Sequence, residues 1–376
     1  MSNILEKFKG RRVLVTGHTG FKGSWLSIWL KHLGAEVFGY ALAAEEQSLF
    51  NVTDLSTQIH HFEGDVRNFE QLNNYIRSVE PEIIFHLAAQ PLVRYSYDQP
   101  KETYEVNVMG TLNVLECVRH LDRELTVICV TTDKSYDNKE WIWGYRENDA
   151  MGGHDPYSSS KGCCELLIDS YNKSYFSGDN GARVKLASVR AGNVIGGGDW
   201  AKDRIVPDCI AALAGDQEIL VRNPYATRPW QHVLEPLGGY LLLGIKLLTQ
   251  ETNVDRLTGA FNFGPSIASN RSVGELVDNI VSQWGTGVWI NGFEGDAPHE
   301  ANLLNLTIDK AFHLLNWLPV WDFDETVKRT VSWYKNYQKS DTLILCKEQI
   351  LDYQYSFYQN YKKQINQYGT PAHPAE

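Results

Sequence analysis

The stretch Arg11-Arg12-Val13-Leu14-Val15-Thr16-Gly17-His18-Thr19-Gly20-Phe21-Lys22-Gly23 decides how the rest of the chain folds. Its apolar run reads as a buried strand, and three glycines spaced three apart follow at once. A helical pattern over residues 21–33 comes next and is stopped by Gly34. In such a turn one glycine permits the tight bend, the next lets the backbone approach a pyrophosphate, and the last packs the helix against the strand. The N–H groups and dipole at the helix start then face phosphates. A dinucleotide cradled by Gly17, His18, Thr19, Gly20, Phe21, Lys22 and Gly23 is the expectation.

Outward from this turn, short apolar runs at 35–40, 58–63, 82–87, 125–131 and 183–190 read as further strands, with helical patterns over 101–120 and 156–176 between them. Strand–helix alternation of this kind predicts right-handed crossovers and a parallel sheet covered on both faces. The fold class expected is α/β, a doubly wound parallel sheet of the Rossmann type with a smaller mixed α/β C-terminal substrate lobe. Residues 1–190 are assigned to the dinucleotide-binding domain and 191–376 mainly to the substrate lobe, with some strands and helices returning to the sheet. Residues 191–204 are glycine-rich and read as a loop outside any sheet. Helices over 205–214, 234–248 and 273–284 and an extended piece at 260–263 fall to the lobe. The tyrosine-rich tail at 341–368 reads as helical, and 369–376 as a frayed end.

Bulk properties exclude several classes of function. A net charge of −11 leaves no basic footprint for nucleic acid or an anionic membrane. No run approaches the roughly 18 apolar residues of a membrane span, and the charged N-terminus does not read as a secretory signal. The six cysteines include no CxxC pair, so a reducing compartment, the cytoplasm, is expected, without a disulfide or zinc framework. His60-His61 and His299-Glu300 lack the spacing of a metal helix, so no metal is expected.

Several further positions look onto the same ligand. Tyr40 ends the second strand, where an acidic residue usually meets the adenosine ribose. The segment Tyr40–Asn51 contains no Lys or Arg and does contain Glu45 and Glu46, which favours NAD over its 2′-phosphorylated form. Asp65 and Val66 are placed to meet the adenine. Leu87-Ala88-Ala89-Gln90 ends the fourth strand with small residues that permit close approach. Tyr157-Ser158-Ser159-Ser160-Lys161 places a phenol and an ammonium one helical turn apart. The ammonium, with the positive nicotinamide ring, lowers a phenol pKa that is otherwise about 10. The strand before this helix ends in Thr131-Thr132-Asp133-Lys134, at the carboxyl edge where parallel sheets bind ligands.

Together the glycine turn, His86-Leu87-Ala88-Ala89, Asn107 in Val106-Asn107-Val108-Met109-Gly110-Thr111, and the Tyr157/Lys161 pair resemble the extended short-chain dehydrogenases acting on nucleotide sugars. The acidic residue after Thr132 makes the chain most similar to the sugar-nucleotide 4,6-dehydratases. Most of that family carries glutamate where this sequence has Lys134. Thr131-Thr132-Asp133-Lys134-Ser135-Tyr136, Arg190–Trp200 and Arg228-Pro229-Trp230-Gln231-His232-Val233 resemble the branch that acts on CDP-glucose.

The resemblance implies bound NAD, a 4,6-dehydration, and a role in supplying deoxysugars for bacterial surface polysaccharide such as O-antigen. It implies Tyr157 as the base at the sugar 4-hydroxyl, Thr132 bonded to the same oxygen, and Lys161 holding the nicotinamide ribose. Asn107 and Thr131 fall beside the cofactor. Asp133, held protonated by burial, is the candidate acid for the departing 6-hydroxyl. Lys134 is either a neutral base at C5 or a cation that stabilises the enolate. Arg94, Asn193, Arg204, Arg228 and Glu300 are candidates for holding the sugar and its diphosphate. A homodimer or homotetramer pairing through residues 101–120 and 156–176 is implied as well. Two other readings remain open at this stage: a nucleotide-sugar 4-epimerase, or a dehydratase for another nucleotide of glucose, within the class, and a non-catalytic NAD-sensing regulator outside it.

Overall fold

A computed structural model describes residues 4–177, 183–249, 254–292 and 303–368. Seven strands form the main sheet: β1 (Arg12–Thr16), β2 (Glu36–Ala41), β3 (His60–Glu63), β4 (Ile83–His86), β5 (Leu125–Val130), β6 (Val184–Ala191) and β7 (Gly259–Phe263). Their order is β7-β6-β5-β4-β1-β2-β3, and every neighbouring pair is parallel. The chain reverses its direction of travel across the sheet between β1 and β4, which is where an open α/β sheet leaves a crevice.

Alternation along the strands builds two cores. Val13, Val15, Ile83, Phe85, Ile128 and Val189 face a layer that contains Trp25, Trp29, Leu237 and Leu241. Leu14, Ile84, Val127 and Leu186 face the opposite layer, which contains Leu72, Ile76, Val114, Val118 and Ile168. Each fully buried aliphatic side chain of this kind contributes about 1.5–3 kcal/mol relative to exposure. Burial on both faces is why the strands read as continuous apolar runs instead of alternating ones.

Four features differ from the sequence reading. The helix expected over 101–120 is broken into Pro100–Tyr104, a widened π turn at Glu105–Met109, and Gly110–Arg119. Phe69–Val79 is a helix that the sequence reading passes over, capped by Asn68 through the backbone N–H of Gln71. Residues 191–204 are not wholly outside sheet structure, because Val194–Ile195 pairs in parallel with Gln231–His232. Two residues are too few to show a strand period. The extended piece at 260–263 belongs to β7 and closes the edge of the main sheet beside β6.

The tyrosine-rich tail forms a single helix, Thr342–Tyr368, docked on the body. Tyr353 sets its ring edge-on to Trp29, with centroids 5.5 Å apart. Its hydroxyl donates to Oε2 of Glu235 at 2.9 Å. Glu235 is inaccessible to solvent and also accepts the backbone N–H of Trp321 at 2.6 Å and of Val320 at 3.0 Å. One carboxylate thus ties together the helix Leu234–Thr249, the loop before residue 323 and the tail. Burial pushes its pKa up from 4.5 to about 7, against the pull of those hydrogen bonds.

An acid with a raised folded pKa favours folding fully below its unfolded pKa, and that contribution is lost as pH climbs through the folded value. The window here runs from about 4.5 to about 7, and its size is about 3 kcal/mol. Glu235→Gln keeps an acceptor for the two N–H groups and has no charge to bury. Its stability relative to the parent should therefore rise by about that amount between pH 4.5 and 8, read from denaturant midpoints. A difference that stays constant across the range removes Glu235 as the titrating group.

Candidate active site

The carboxyl ends of the strands open into a cleft of about 1710 Å³. Pockets for one small molecule usually hold about 300–1,000 Å³, so this one has room for two ligands side by side. Its wall is made by the glycine turn, Ala41 and Leu42, Asp65 and Val66, Leu87–Ala89, Thr131–Lys134, Tyr157 and Lys161, and the segments after β6.

The glycine turn fits a pyrophosphate. Gly17 has φ +74°, and a Cβ there would lie 2.6 Å from Ala88 N. At Gly23 a Cβ would lie 2.1 Å from Gly17 O, so both positions exclude a side chain for packing reasons. Gly20 differs: the nearest atom to its Cβ position is Gly17 O at 3.4 Å, which leaves its open side to the cleft. The helix Phe21–His32 starts there with no side-chain cap and no acidic residue in its first turn. Uncapped N–H groups at a helix start are an anion site waiting for its acceptor.

Several of the residues that the sequence assigned to the dinucleotide line one cleft, and others stand behind its wall. Thr19, Phe21, Lys22, Asp65, Val66, Leu87, Ala88, Ala89 and Thr131 line the cleft with the glycines. Tyr40 does not. Its side chain is fully buried, and its hydroxyl donates to Asp65 O at 3.0 Å and Gln71 Oε1 at 2.9 Å. Only its carbonyl serves the turn, accepting Gly17 N–H at 2.9 Å. Strand alternation turns its side chain away, and the cleft here is lined by the next residues, Ala41 and Leu42.

His18 is likewise buried, with Nε2 2.7 Å from His61 Nδ1. Its ring fills the space where a Cβ on Gly39 would otherwise sit. Gln90 and Asn107 are also outside the cleft wall. Asn107 sits in the π turn; its amide donates to Gln90 O at 3.1 Å and Ser160 Oγ at 2.9 Å, and its carbonyl accepts Gln90 N–H at 2.8 Å. This pins the end of β4 to the helix that carries Tyr157. Asn107 and Gln90 therefore position the wall from behind.

Around the reacting end, Thr132 caps a short 3₁₀ turn, Asp133–Ser135, and its hydroxyl donates to Asp133 Oδ1 at 3.0 Å. Asp133 is 2% exposed, and its other oxygen, Oδ2, has no hydrogen-bond partner within the protein. Burial pushes its pKa up, although Lys134, Thr132, Lys22 and Arg228 pull the other way. Tyr157 and Lys161 start the helix Pro156–Tyr175, whose first turn is fixed by Asp155 accepting Ser158 N–H at 2.9 Å. Burial raises the Tyr157 phenol to about 12, while its hydrogen bond with Thr132 pulls it down. Burial also lowers Lys161, whose ammonium donates to Val130 O at 3.2 Å. Thr131 donates its hydroxyl to Glu165, so its side chain braces the strand end.

Arg94, Asn193, Arg204 and Arg228 line the same cleft. Arg94 lies 3.6 Å from Asp203, and Arg204 pairs with Asp199 at 2.7 Å. Glu300 lies outside the described residues. Sequence reasoning missed Lys202, Asp203 and Arg222, all of which line the cleft. Arg222 directly follows the short strand Ile219–Val221, so the strand-end rule, applied beyond the main sheet, would have found it. It also missed how deep Lys22 reaches. Burial lowers that ammonium to about 8, with Arg204, Lys161 and Lys134 adding repulsion and Asp133 opposing them.

Gly192 tests the placement of Asp133. A Cβ there would lie 2.7 Å from Asp133 Oδ2 and 3.2 Å from Pro229 Cγ. Gly192→Ala should displace the carboxyl and lower kcat by about 10²-fold, with dinucleotide affinity unchanged by titration. Unchanged kcat would show that the carboxyl position is not critical.

Residues 14–330 match the model of the GDP-mannose 4,6 dehydratase family. The chain is 49% identical over 351 residues to a CDP-glucose 4,6-dehydratase of Salmonella typhimurium, covering 92% of this chain and 97% of that protein. Among solved structures, an epimerase of Methanothermobacter thermautotrophicus superposes with a TM-score of 0.73 at 23% identity, over 92% of this chain and 96% of the other. A dTDP-glucose 4,6-dehydratase of Bacillus anthracis, in complex with NAD, gives 0.69 at 20% identity, over 88% and 97%. These structural likenesses establish the fold.

Proposed function

The chain belongs to the GDP-mannose 4,6-dehydratase family of extended short-chain dehydrogenases, and from that premise we propose that it is an NAD-dependent CDP-glucose 4,6-dehydratase, a hydro-lyase that yields CDP-4-keto-6-deoxyglucose and water. The observation that carries this reading is Asp133, a buried carboxyl beside Thr132 whose pKa burial raises and whose Oδ2 has no partner within the protein. Epimerisation at C4 needs no proton donor for a departing hydroxyl, whereas elimination across C5–C6 does. Division of labour follows the sequence reading: residues 1–190 hold the dinucleotide and 191–376 mainly the nucleotide sugar.

Bound NAD⁺, held at the glycine turn, would supply the acceptor for the C4 hydride and the donor of the same hydride at C6. The chain's own residues do the rest. Tyr157 takes the proton of the 4-hydroxyl, and its phenol must fall well below about 12 to do so. Lys161 and the positive charge brought by the cofactor supply that fall. Thr132 donates to the same sugar oxygen and steadies charge developing there. The 4-ketone acidifies the C5 proton, which passes to a water in the cleft and returns to C5 when hydride reaches C6, while Asp133 protonates the 6-hydroxyl so that it leaves as water. Lys134 lines the cleft next to Asp133 and stabilises the enolate by its charge. Arg94, Arg204, Arg222 and Arg228 offer fork-shaped donors to the diphosphate.

Among the described residues, no helix is long and apolar enough to cross a membrane. Met109, Leu166 and Tyr175 are exposed on the two helical segments that the family uses for pairing, which supports a homodimer or a homotetramer built from it.

Asp133→Asn tests the reading. It keeps the shape and removes the acid, so kcat for dehydration should fall about 10²–10⁴-fold. Oxidation at C4 would still run, and reduced-nicotinamide absorbance should build up on adding CDP-glucose. Full turnover by this variant, or a galacto sugar from the parent enzyme, would overturn the assignment.

A further inference from the structure

Arginines of the cleft are held by two aspartates of one loop, and the two aspartates are built differently. Asp199 is 5% exposed. Its backbone is gripped by Tyr334, which accepts Asp199 N–H at 3.0 Å and donates to Asp199 O at 2.5 Å. Its Oδ1 accepts Ala201 N–H at 3.2 Å while Oδ2 holds Arg204 at 2.7 Å. Every part of this carboxylate is committed, so the Asp199–Arg204 pair is a fixed piece of wall.

Asp203 has none of that support. Its side chain is about half exposed, and its backbone sits at φ +62°, a left-handed conformation that disfavours residues with a Cβ. From there its Oδ1 reaches Arg94 Nη1 at 3.6 Å and both terminal nitrogens of Arg222 at 3.2 Å. Arg222 also lies 3.7 Å from Asp208. Arg94 comes from the segment after β4, and Arg222 from the far side of the cleft, after the strand Ile219–Val221. A single carboxylate oxygen thus bridges guanidinium groups on the two walls of the cleft, all three side chains lining it. Exposed pairs at such distances are weakly held. A diphosphate carries more charge and more acceptor oxygens, and it matches guanidinium forks better than one carboxylate oxygen does.

We propose that Asp203 is an anionic placeholder: it holds Arg94 and Arg222 across the cleft until a diphosphate displaces it, and so sets how tightly diphosphate-bearing ligands bind and how fast they leave. This rests on the nucleotide-sugar reading of the cleft. Displacement removes the like-charge repulsion between Asp203 and the incoming phosphates. Release of product is helped by the carboxylate returning to its arginines.

The test uses the full-length protein, with CDP and NAD⁺ as calorimetric probes and CDP-glucose in turnover. Asp203→Asn removes the charge, and asparagine tolerates the left-handed backbone. CDP binding should tighten about two- to five-fold, the size expected of an exposed charge pair, with NAD⁺ affinity unchanged. KM for CDP-glucose should fall and inhibition by product should increase. Introduced on top of Arg94→Ala/Arg222→Ala, the same substitution should give no gain. Unchanged or weaker CDP binding by Asp203→Asn, or a gain that survives loss of both arginines, overturns the placeholder. If the parent protein binds neither CDP nor CDP-glucose, the nucleotide-sugar reading falls and takes the placeholder with it; if the parent binds both, that reading stands whatever Asp203 does.

Discussion

Arg190 and Glu165 meet at 2.7 Å with their side chains 4% and 3% exposed, and the catalytic end of the cleft is assembled around this pair. Glu165 also accepts the hydroxyls of Thr131 and of Ser188, so one carboxylate joins β5, β6 and the helix that carries Tyr157 and Lys161. Arg190 passes the tie onward to Tyr136 OH, which donates to Asn262 on β7 at 2.8 Å. Desolvating two ions is costly, and breaking such a pair on one side typically costs about 3–5 kcal/mol because the other charge stays buried. The network is therefore better understood as a device for geometry than as a source of stability. Thr131 held at this point leaves Thr132, Asp133 and Lys134 with one way to leave the strand.

Dryness then decides the chemistry. Asp133 lies within the field of Lys22, Lys134 and Arg228, each of which favours its ionised form. Burial nevertheless prevails and holds the carboxyl towards neutrality. The same burial raises the Tyr157 phenol and lowers Lys161. An acid that must be protonated and a phenol that must ionise sit in one pocket, and solvent exclusion serves the first while opposing the second. Positive charge delivered with a bound dinucleotide would reconcile them, because it would act most strongly on a phenol beside the nicotinamide.

Much of this was legible in the sequence, and the limits were physical. The glycine turn, the strands through β6 and the Tyr157–Lys161 turn are local patterns, set by period and by positions where a side chain cannot fit. Tyr40 and His18 lie off the cleft wall for a shared reason: their neighbours in sequence meet the cleft, while their own side chains are buried. Asn107 was read as a cofactor contact, yet its amide is spent on Gln90 and Ser160. A π turn needs one extra residue in a helical repeat, and a window of apolar residues does not reveal where it is inserted. β7 was assigned to the C-terminal lobe, from which some strands were expected to return to the sheet, but its pairing with β6 spans a sequence separation that local pattern does not report. Asp199, Asp203 and Arg222 were invisible for the opposite reason, being ordinary charged residues made meaningful only by what they face.

That last group bears on how an acidic protein accepts an anionic ligand. With a net charge of −11 the molecule as a whole repels a nucleotide diphosphate. Within the cleft Lys22, Lys134, Lys161 and the arginines at 94, 204, 222 and 228 supply local positive charge beside a similar number of carboxylates. Left unneutralised, so many cations at one site would repel each other and loosen the loops that carry them. Burial and mutual repulsion already lower the Lys22 ammonium to about 8. Carboxylates drawn from the loop around Asp199 and Asp203 relieve this strain in the empty cleft, one as a permanent partner and the other as an exchangeable one. A site that must bind a doubly charged group and then let it go needs both kinds: fixed charge to define the position, and a competing anion to keep the ligand from staying.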